Sequence, residues 1–349
     1  MRLRPRGRHR PMQSNTVEDE TVIAAAKAGD ETAFGGLVGR YRRELQVHCY
    51  RMLGSFEDSE DMVQETFLRA WRKRATFKGR STFRAWLYRI ATNACLDTLA
   101  AHPRKVARQA AGATSAARLT SEVPWLQPYP DRLLDELAAS DSEPDAAVVA
   151  KETIELAFLA TIQHLPPKQR AVLILRDVLG WSANDTASLL EDSVPAVNSA
   201  LQRARATLKR HLPRRRLEWS AGGEASEEER ALLERYIEAH ERSDAAAVAA
   251  MLSEDVRVTM PPEPPLDGRD AVMTLFAQVA FADSAPGDWR LLPTRANRQP
   301  AAANYLRGPG ETVFRAMALD VLRFEDGKLA EISVFRGDLF PSFGLPLTL

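Results

Sequence analysis

Residues 60–104 read EDMVQETFLRAWRKRATFKGRSTFRAWLYRIATNACLDTLAAHPR, and the spacing of their apolar side chains predicts two helices joined by a short basic loop. The first opens after Gly54-Ser55, with Ser55 as N-cap and Asp58 three residues on, and carries Val63, Phe67 and Trp71 as its buried stripe. Glu57, Asp58, Glu60 and Asp61 stand at its start and Arg69, Arg72, Lys73 and Arg74 at its end, as the helix dipole favours. The second begins near Ser81-Thr82 and repeats apolar residues at Trp86-Leu87, Ile90-Ala91 and Ala94. That leaves Arg84, Tyr88, Arg89, Thr92 and Asn93 to face outward. Residues 72–108 hold ten Lys/Arg against one acid, Asp97, with Phe77, Phe83, Trp86 and Tyr88 interleaved. Cations among aromatic rings suit a protein that follows phosphates and stacks unpaired bases.

Upstream, TVIAAAKAGD is a helical pattern closed by Gly29. TAFGGLVGRYRRELQVHCYRML is a second, with Phe34, Leu37, Val38, Tyr41, Leu45 and Cys49 on one face. Both are expected to pack on the helix that carries Glu60. Residues 1–16 show no periodicity and read as a disordered basic arm or as the result of a start codon assigned too early; no apolar run follows their arginines, so they are not a secretory signal. Downstream the composition turns to Ala, Ser, Pro and Gly. With nine acids against two bases from Leu119 to Leu156, this segment is a linker and not a second nucleic-acid face. Trp125, Tyr129 and Leu133-Leu134 are its expected docking points.

A second block, LPPKQRAVLILRDVLGWSANDTASLLEDSVPAVNSALQRARATLKRHL, spans residues 165–212. Ser182 caps a short helix, a turn follows at Glu191-Asp192-Ser193, and a longer helix begins with Pro195 in its first turn. This is the helix-turn-helix order, whose second helix enters the major groove. Val197, Leu201, Ala204 and Leu208 hold that helix to its module, leaving Asn198, Ser199, Gln202, Arg203 and Arg205 to meet DNA. Arg203 suits guanine or a phosphate, and Asn198 and Gln202 suit adenine edges.

DMVQETFLRAWR followed by FRAWLYRIATNACLD resembles region 2 of the extracytoplasmic-function (ECF) sigma factors, bacterial promoter-specificity subunits of RNA polymerase, and the second block is similar to their region 4. The resemblance implies binding to core RNA polymerase through Asp61, Gln64 and Glu65. It implies capture and melting of the −10 element by Lys78, Arg80, Ser81, Arg84, Tyr88, Arg89, Thr92 and Asn93, and reading of the −35 element by Asn198, Ser199, Gln202, Arg203 and Arg205. Relatives commonly carry Lys or Arg where Asn198 stands and Arg where Ala200 stands, so this recognition helix is less basic at its entry. The implied protein is a cytoplasmic transcription factor, not an enzyme, with core polymerase and promoter DNA as partners and no cofactor or metal. A helix-turn-helix repressor acting alone would not require the DMVQETF helix.

After the polar break EWSAGGEASEEER, two helices, a strand, a helix and four further strands predict an α+β cone with an antiparallel sheet, and Glu325-Asp326-Gly327-Lys328 reads as a hairpin turn. HERSDAAAVAAMLSEDVRVTMPPEPPLDGRDAV resembles the SnoaL-like branch of the nuclear-transport-factor-2 fold. The fold expected for the whole chain is therefore multidomain. An arm at 1–16 precedes all-α sigma region 2 at 17–105, a linker at 106–150, the region 4 helix-turn-helix at 151–216, a linker at 217–227 and the cone at 228–349. Relatives of the cone that are enzymes use an inward acid or base, for which His240, Asp255, Asp267 and Asp320 are the candidates here. That makes a bifunctional protein whose cone catalyses or senses a small apolar molecule the alternative reading. The preferred expectation is a regulatory domain with a small apolar ligand or a protein partner, its pocket lined by Met260, Phe276, Trp289 and Tyr305.

The chain of 349 residues carries 47 basic and 47 acidic residues, which divide unevenly. Residues 1–223 hold 34 Lys/Arg against 26 Asp/Glu, and residues 224–349 hold 13 against 21. The front is the nucleic-acid part, and the sign difference offers a salt-sensitive attraction between front and rear. Cys49 and Cys95 lack metal-ligand spacing and read as reduced core thiols. No apolar run is long enough to span a membrane.

Overall fold

The computed structural model describes residues 17–79, 81–101, 123, 125–139, 154–211, 226–261, 263–279 and 287–349. The expectations for the basic arm, Arg80, Arg104, Lys105, Arg108 and most of the two linkers lie outside the described residues. Two compact units contain the described residues. The first lies within Met1–Ala116, Glu136–Thr153 and Phe158–Trp219, the second within Ala117–Asp135, Ile154–Ala157 and Ser220–Leu349.

The helices run α1 (Val17–Ala28), α2 (Glu31–Gly39), α3 (Arg42–Leu53), α4 (Phe56–Lys73), α5 (Phe83–Ala101), α6 (Asp131–Ala139), α7 (Leu156–Gln163), α8 (Pro167–Leu173), α9 (Ala183–Leu190) and α10 (Val194–His211). The single pattern expected from Thr32 to Leu53 is two helices, broken at Arg40-Tyr41. Three glycines within α2, at 35, 36 and 39, weaken helix propagation there. Ser55 caps α4 as expected, its hydroxyl accepting from Asp58 N at 3.1 Å. The buried side of α4 is Phe56, Ser59, Val63, Thr66 and Ala70, so Phe67 and Trp71 flank the stripe and do not continue it. Trp71 meets Phe34 edge-on at 5.1 Å between ring centres. Thr82 accepts from Ala85 N at 3.2 Å at the start of α5.

The second unit continues with α11 (Glu227–Glu241), α12 (Ala245–Met251), β1 (Leu252–Thr259), β2 (Leu266–Asp267), α13 (Arg269–Val279), β3 (Asp288–Ala296), β4 (Gln299–Arg307), β5 (Arg315–Glu325) and β6 (Lys328–Arg336). Ser226 and Glu229 form a reciprocal capping box that opens α11. The sheet order is β2-β1-β6-β5-β4-β3. Its β3 to β6 meander is antiparallel, but β1 joins β6 in parallel, which corrects the expectation of a purely antiparallel sheet. Such a pairing is open to β1 because α13 and the meander lie between the two strands in sequence, long enough for a crossover. Asp326 and Gly327 both take positive φ, the two-residue turn that matches strand twist. Asn297 and Arg298 do the same between β3 and β4.

One sheet face carries Val256, Val258, Trp289, Leu291, Ala302, Leu322 and Ile332 and packs on Leu233, Tyr236 and Ala239 of α11 and Val272 and Phe276 of α13. Tyr305, expected to line a pocket together with Met260, Phe276 and Trp289, does not share their face of the sheet. Alternation along β4 sends it to the other face, where it meets Phe340 at 4.9 Å and its hydroxyl donates to Pro346 O at 2.8 Å.

Candidate polymerase and nucleic-acid interface

On α4, Asp61 and Gln64 are exposed and Glu65 is half-buried, bound by Arg69 at 2.7 Å one turn on. Arg69 also reaches Asp97 of α5 at 2.6 Å, and the two carboxylates raise its pKa. Leu68, 52% exposed, shares this face. The sequence reading passed it over, although the i, i+3, i+4, i+7 spacing from Asp61 places it there.

The loop before α5 presents Lys78 and Ser81 to solvent. Phe77 is buried against Phe83 and Trp86 at 5.6 and 5.4 Å, so it anchors the loop and offers no stacking surface. On α5 the expectation of an outward face holds only in part. Arg84 is half-buried, bound at both ends of the Glu44 carboxylate at 2.8 to 3.1 Å, with its guanidinium 5.3 Å from the Tyr88 ring centre. Tyr88 is 1% exposed and Thr92 fully buried. Both turn inward because His48, on α3, packs under them. Thr92 donates to Tyr88 O at 2.7 Å and therefore accepts from His48 Nε2 at 2.9 Å. Burial lowers the His48 pKa to about 3 and leaves the ring neutral. Arg89 forms an ion pair with Glu191, and Asn93 is half-buried.

On α10 the division between held and free residues follows the sequence reading. Val197, Leu201, Ala204 and Leu208 are buried; Asn198, Ser199, Gln202, Arg203 and Arg205 are exposed. Arg205 is held by both oxygens of Asp177 at 2.5 and 2.8 Å, which raises its pKa. Ser182 caps α9 by accepting from Asp185 N at 3.0 Å, and Glu191, at φ 53°, ends that helix.

The helix-turn-helix module also packs on α3 and α5, a contact that no local pattern announces. A helix end leaves its last carbonyls without intrahelical donors. Here Arg51 O accepts from Gln163 Nε2 at 3.1 Å and Met52 O accepts from Arg170 Nη1. Arg170 is fully buried and also donates to Gln163 Oε1 at 2.5 Å, Gln163 O at 2.6 Å and Leu165 O at 3.1 Å. Burial brings its pKa down to about 9, still protonated at neutral pH, as five donors beside the negative end of α3 require. Gly54, the αL cap of α3, makes room for this approach: a Cβ there would lie 3.0 Å from Gln163 Cδ. Trp181 closes the contact with its ring 5.4 Å from that of Tyr88.

In the second unit, Asp320 and His240 are buried, whereas Asp255 is exposed and Asp267 is a surface partner of Arg257 at 2.6 Å. Asp320 Oδ2 accepts from Tyr236 at 2.8 Å and from Asn304 at 2.6 Å. Burial nevertheless raises its pKa to about 6 against the pull of those bonds. His240 lies among Tyr236, Phe276 and Trp289, and burial lowers its pKa to about 4. Trp289 and Phe276, expected to line a ligand pocket, are part of the packed core, and Met260 packs against it half-buried. Among the described residues no cluster of His, Cys, Asp and Glu could hold a metal ion, and no helix is long and apolar enough to cross a membrane.

A helical unit ending in a helix-turn-helix, followed by an α+β cone, defines a modular transcription factor. Family models agree: Sigma-70 region 2 matches residues 37–105, Sigma-70 region 4 matches 155–208 and the SnoaL-like domain matches 233–332. The chain is 42% identical over 343 residues to the ECF RNA polymerase sigma factor SigG of Mycobacterium tuberculosis, covering 95% of this chain and 90% of the relative. It is 31% identical over 192 residues to the ECF RNA polymerase sigma-E factor of Escherichia coli, covering 55% of this chain and 93% of that one. The crystal structure of the Mycobacterium tuberculosis extracytoplasmic function sigma factor SigJ shares the fold over 90% of this chain and 99% of its own, with TM-score 0.54 and 21% identity. The chain belongs to the ECF RNA polymerase sigma factors, and it is a non-enzymatic transcription initiation factor with a SnoaL-like C-terminal domain.

Proposed function

We propose that this sigma factor acts on DNA in the cytoplasm, binding core RNA polymerase through Asp61, Gln64, Glu65 and the adjoining Leu68. Lys78, Arg80, Ser81, Arg84, Tyr88, Arg89, Thr92 and Asn93 serve the −10 element and its melting; Asn198, Ser199, Gln202, Arg203 and Arg205 read the −35 element. The observation that carries the reading is the exposure of a continuous polar face on α10 while its apolar residues are buried, in a chain whose α4 presents a second such face. Phosphate contacts would set register and base-edge contacts would set sequence. Transcription reconstituted with core polymerase over a genomic promoter pool tests it: initiation confined to a few promoters supports the assignment, and none beyond core polymerase alone removes it.

The SnoaL-like domain is proposed to be regulatory, acting through the segment between regions 2 and 4. Asn297, at the β3–β4 turn, donates from its backbone to Tyr129 O at 2.9 Å, accepts from Tyr129 N at 2.7 Å and donates from its side chain to Ile154 O. Arg298 N donates to Asp131 at 2.8 Å, and Arg132 donates to Ser342 O at 2.7 Å. One turn of the cone thus holds Tyr129 and Asp131, within the segment between regions 2 and 4, and Ile154, just before α7. Specific hydrogen bonds supply a physical means beside the general charge difference between front and rear. A ligand or partner that favoured one arrangement would shift the connection.

A further inference from the structure

We infer that one margin of the SnoaL-like domain's sheet is a contact between two copies of this chain, joined antiparallel through residues 347–349.

Of the large apolar side chains that stand exposed among the described residues, Leu68 is on α4 and the other four gather on the second unit. These are Val313, Met317, Leu347 and Leu349, 37% to 51% exposed. Backbone hydrogen bonds bring their segments together. Phe314 and Leu349 exchange bonds of 3.1 and 2.9 Å, and Ala316 N donates to Leu347 O at 2.9 Å. Residues 347–349 thus add a short antiparallel strand beside the start of β5. Met317 follows at once as the extra residue of a bulge, since Ala316 and Ala318 pair with the adjacent Tyr305 and Asn304 of β4. Apolar side chains gathered at an open sheet margin suit a surface that another strand covers.

The hydrogen-bond pattern says which strand. Thr348 faces Arg315 in an antiparallel bridge flanked by the bonded pairs, so its own N–H and C=O point away from β5, and neither has a partner among the described residues. A residue so placed can exchange both bonds with its own copy across a two-fold axis, Thr348 with the partner's Thr348. That register sets Leu347 against the partner's Leu349, and Leu349 against the partner's Leu347. Charge favours a like partner as well. Bases around the patch have acids of their own: Arg315 with Glu311 at 3.8 Å, Arg307 with Asp288 at 2.6 Å and Arg336 with Asp338 at 2.9 Å. No excess of either sign selects an acidic or a basic chain. With 47 basic and 47 acidic residues, the whole chain has no net charge to hold two copies apart. Asn297 stands beyond the far end of β4, whose Leu306 pairs with Arg315 near this margin, so the contact leaves the bonds to Tyr129 in place.

A contact this small belongs at the weak, micromolar end of self-association. Sedimentation velocity of the full chain between about 1 and 100 µM reads it. Thr348→Pro removes the outward N–H without touching a bond to β5, and Leu347→Glu places a charge in the seam. The expected result is a parent whose average mass climbs toward that of two chains. Both variants should raise the dissociation constant roughly tenfold or more, and Leu68→Glu, at the comparable leucine of α4, should leave it unchanged. A parent that stays monomeric to the highest of these concentrations overturns the proposal and leaves the margin to an extended segment of a different protein. A dimer that survives both substitutions at 347 and 348, or that Leu68→Glu abolishes, overturns it as well. Should Thr348→Pro disturb the fold, seen as a lower melting temperature, Leu347→Glu decides alone.

Discussion

Asn297 and Tyr129 exchange two hydrogen bonds, Tyr129 N to Asn297 Oδ1 at 2.7 Å and Asn297 N to Tyr129 O at 2.9 Å, across 168 positions of sequence. The exchange makes residues between regions 2 and 4 part of the C-terminal unit. Asn297 stands at φ 55°, which glycine also adopts without strain. Asn297→Gly should therefore keep the β3–β4 turn and lose the side-chain bonds. The expected outcome is faster limited proteolysis between residues 117 and 157, with a several-fold change in transcription from a cognate promoter. Unchanged proteolysis and transcription would remove the segment as the route of regulation.

Asp320 makes the second unit sensitive to pH. Its folded pKa of about 6 lies above the ordinary value of 3.8, so the folded state holds the proton more tightly. The stabilisation from that proton is complete below about pH 4 and is lost as pH rises through about 6. Asp320→Asn should flatten this dependence and raise stability at pH 7 by about 2–3 kcal/mol at most. Thermal unfolding of parent and variant between pH 4.5 and 8 measures it. A parent whose stability does not fall over that range contradicts the assignment.

Lys78, Arg80 and Ser81 are predicted to act in strand opening. Replacing all three with alanine should reduce open-complex formation on duplex promoters more than on templates already melted at the −10 element, because capture of an extruded base offsets the cost of unpairing. Permanganate footprinting on both templates reads the difference. Equal losses on the two would reduce the loop to a phosphate contact.

Arg203 and Arg205 should separate at the −35 element. Arg203→Ala is expected to cost about 1–3 kcal/mol of binding at a cognate site and relax preference at one base position. Arg205 is committed to Asp177, so Arg205→Ala should lower affinity less and weaken thermal stability slightly. Gel-shift titration over single-base variants distinguishes the two patterns.

Much of this was legible in the sequence. The caps at Ser55 and Ser182, the apolar face of α10 and the hairpin at Asp326-Gly327 each follow from local rules, and the two sigma blocks are carried by contiguous residues. Tyr88 and Thr92 misled because their exposure depends on His48, forty residues earlier, and on Trp181, ninety-three residues later than Tyr88. The partners of Arg84, Arg89 and Arg170 were equally hidden, since a charge on a periodic pattern announces a solvated face until the chain supplies a counter-ion, as for Arg84 and Arg89, or carbonyl and amide oxygens, as for Arg170. Tyr305 failed for a simpler reason: a strand with both faces covered reads as nearly continuous apolar residues and does not reveal which side faces which core.

The exposed face of α4 is proposed to dock this chain on core RNA polymerase. Gln64 is exposed and Glu65 half-buried with Arg69 as its partner, an ion pair worth about 0–1 kcal/mol, so replacing the two residues leaves the helix intact. The measurement is the dissociation constant of the full chain for core polymerase, with parent and the double variant Gln64→Ala, Glu65→Lys compared at equal thermal stability. Tight binding is expected for the parent and a loss of at least about a hundredfold, near 3 kcal/mol, for the variant. A variant that melts like the parent and still binds core polymerase as tightly would contradict it.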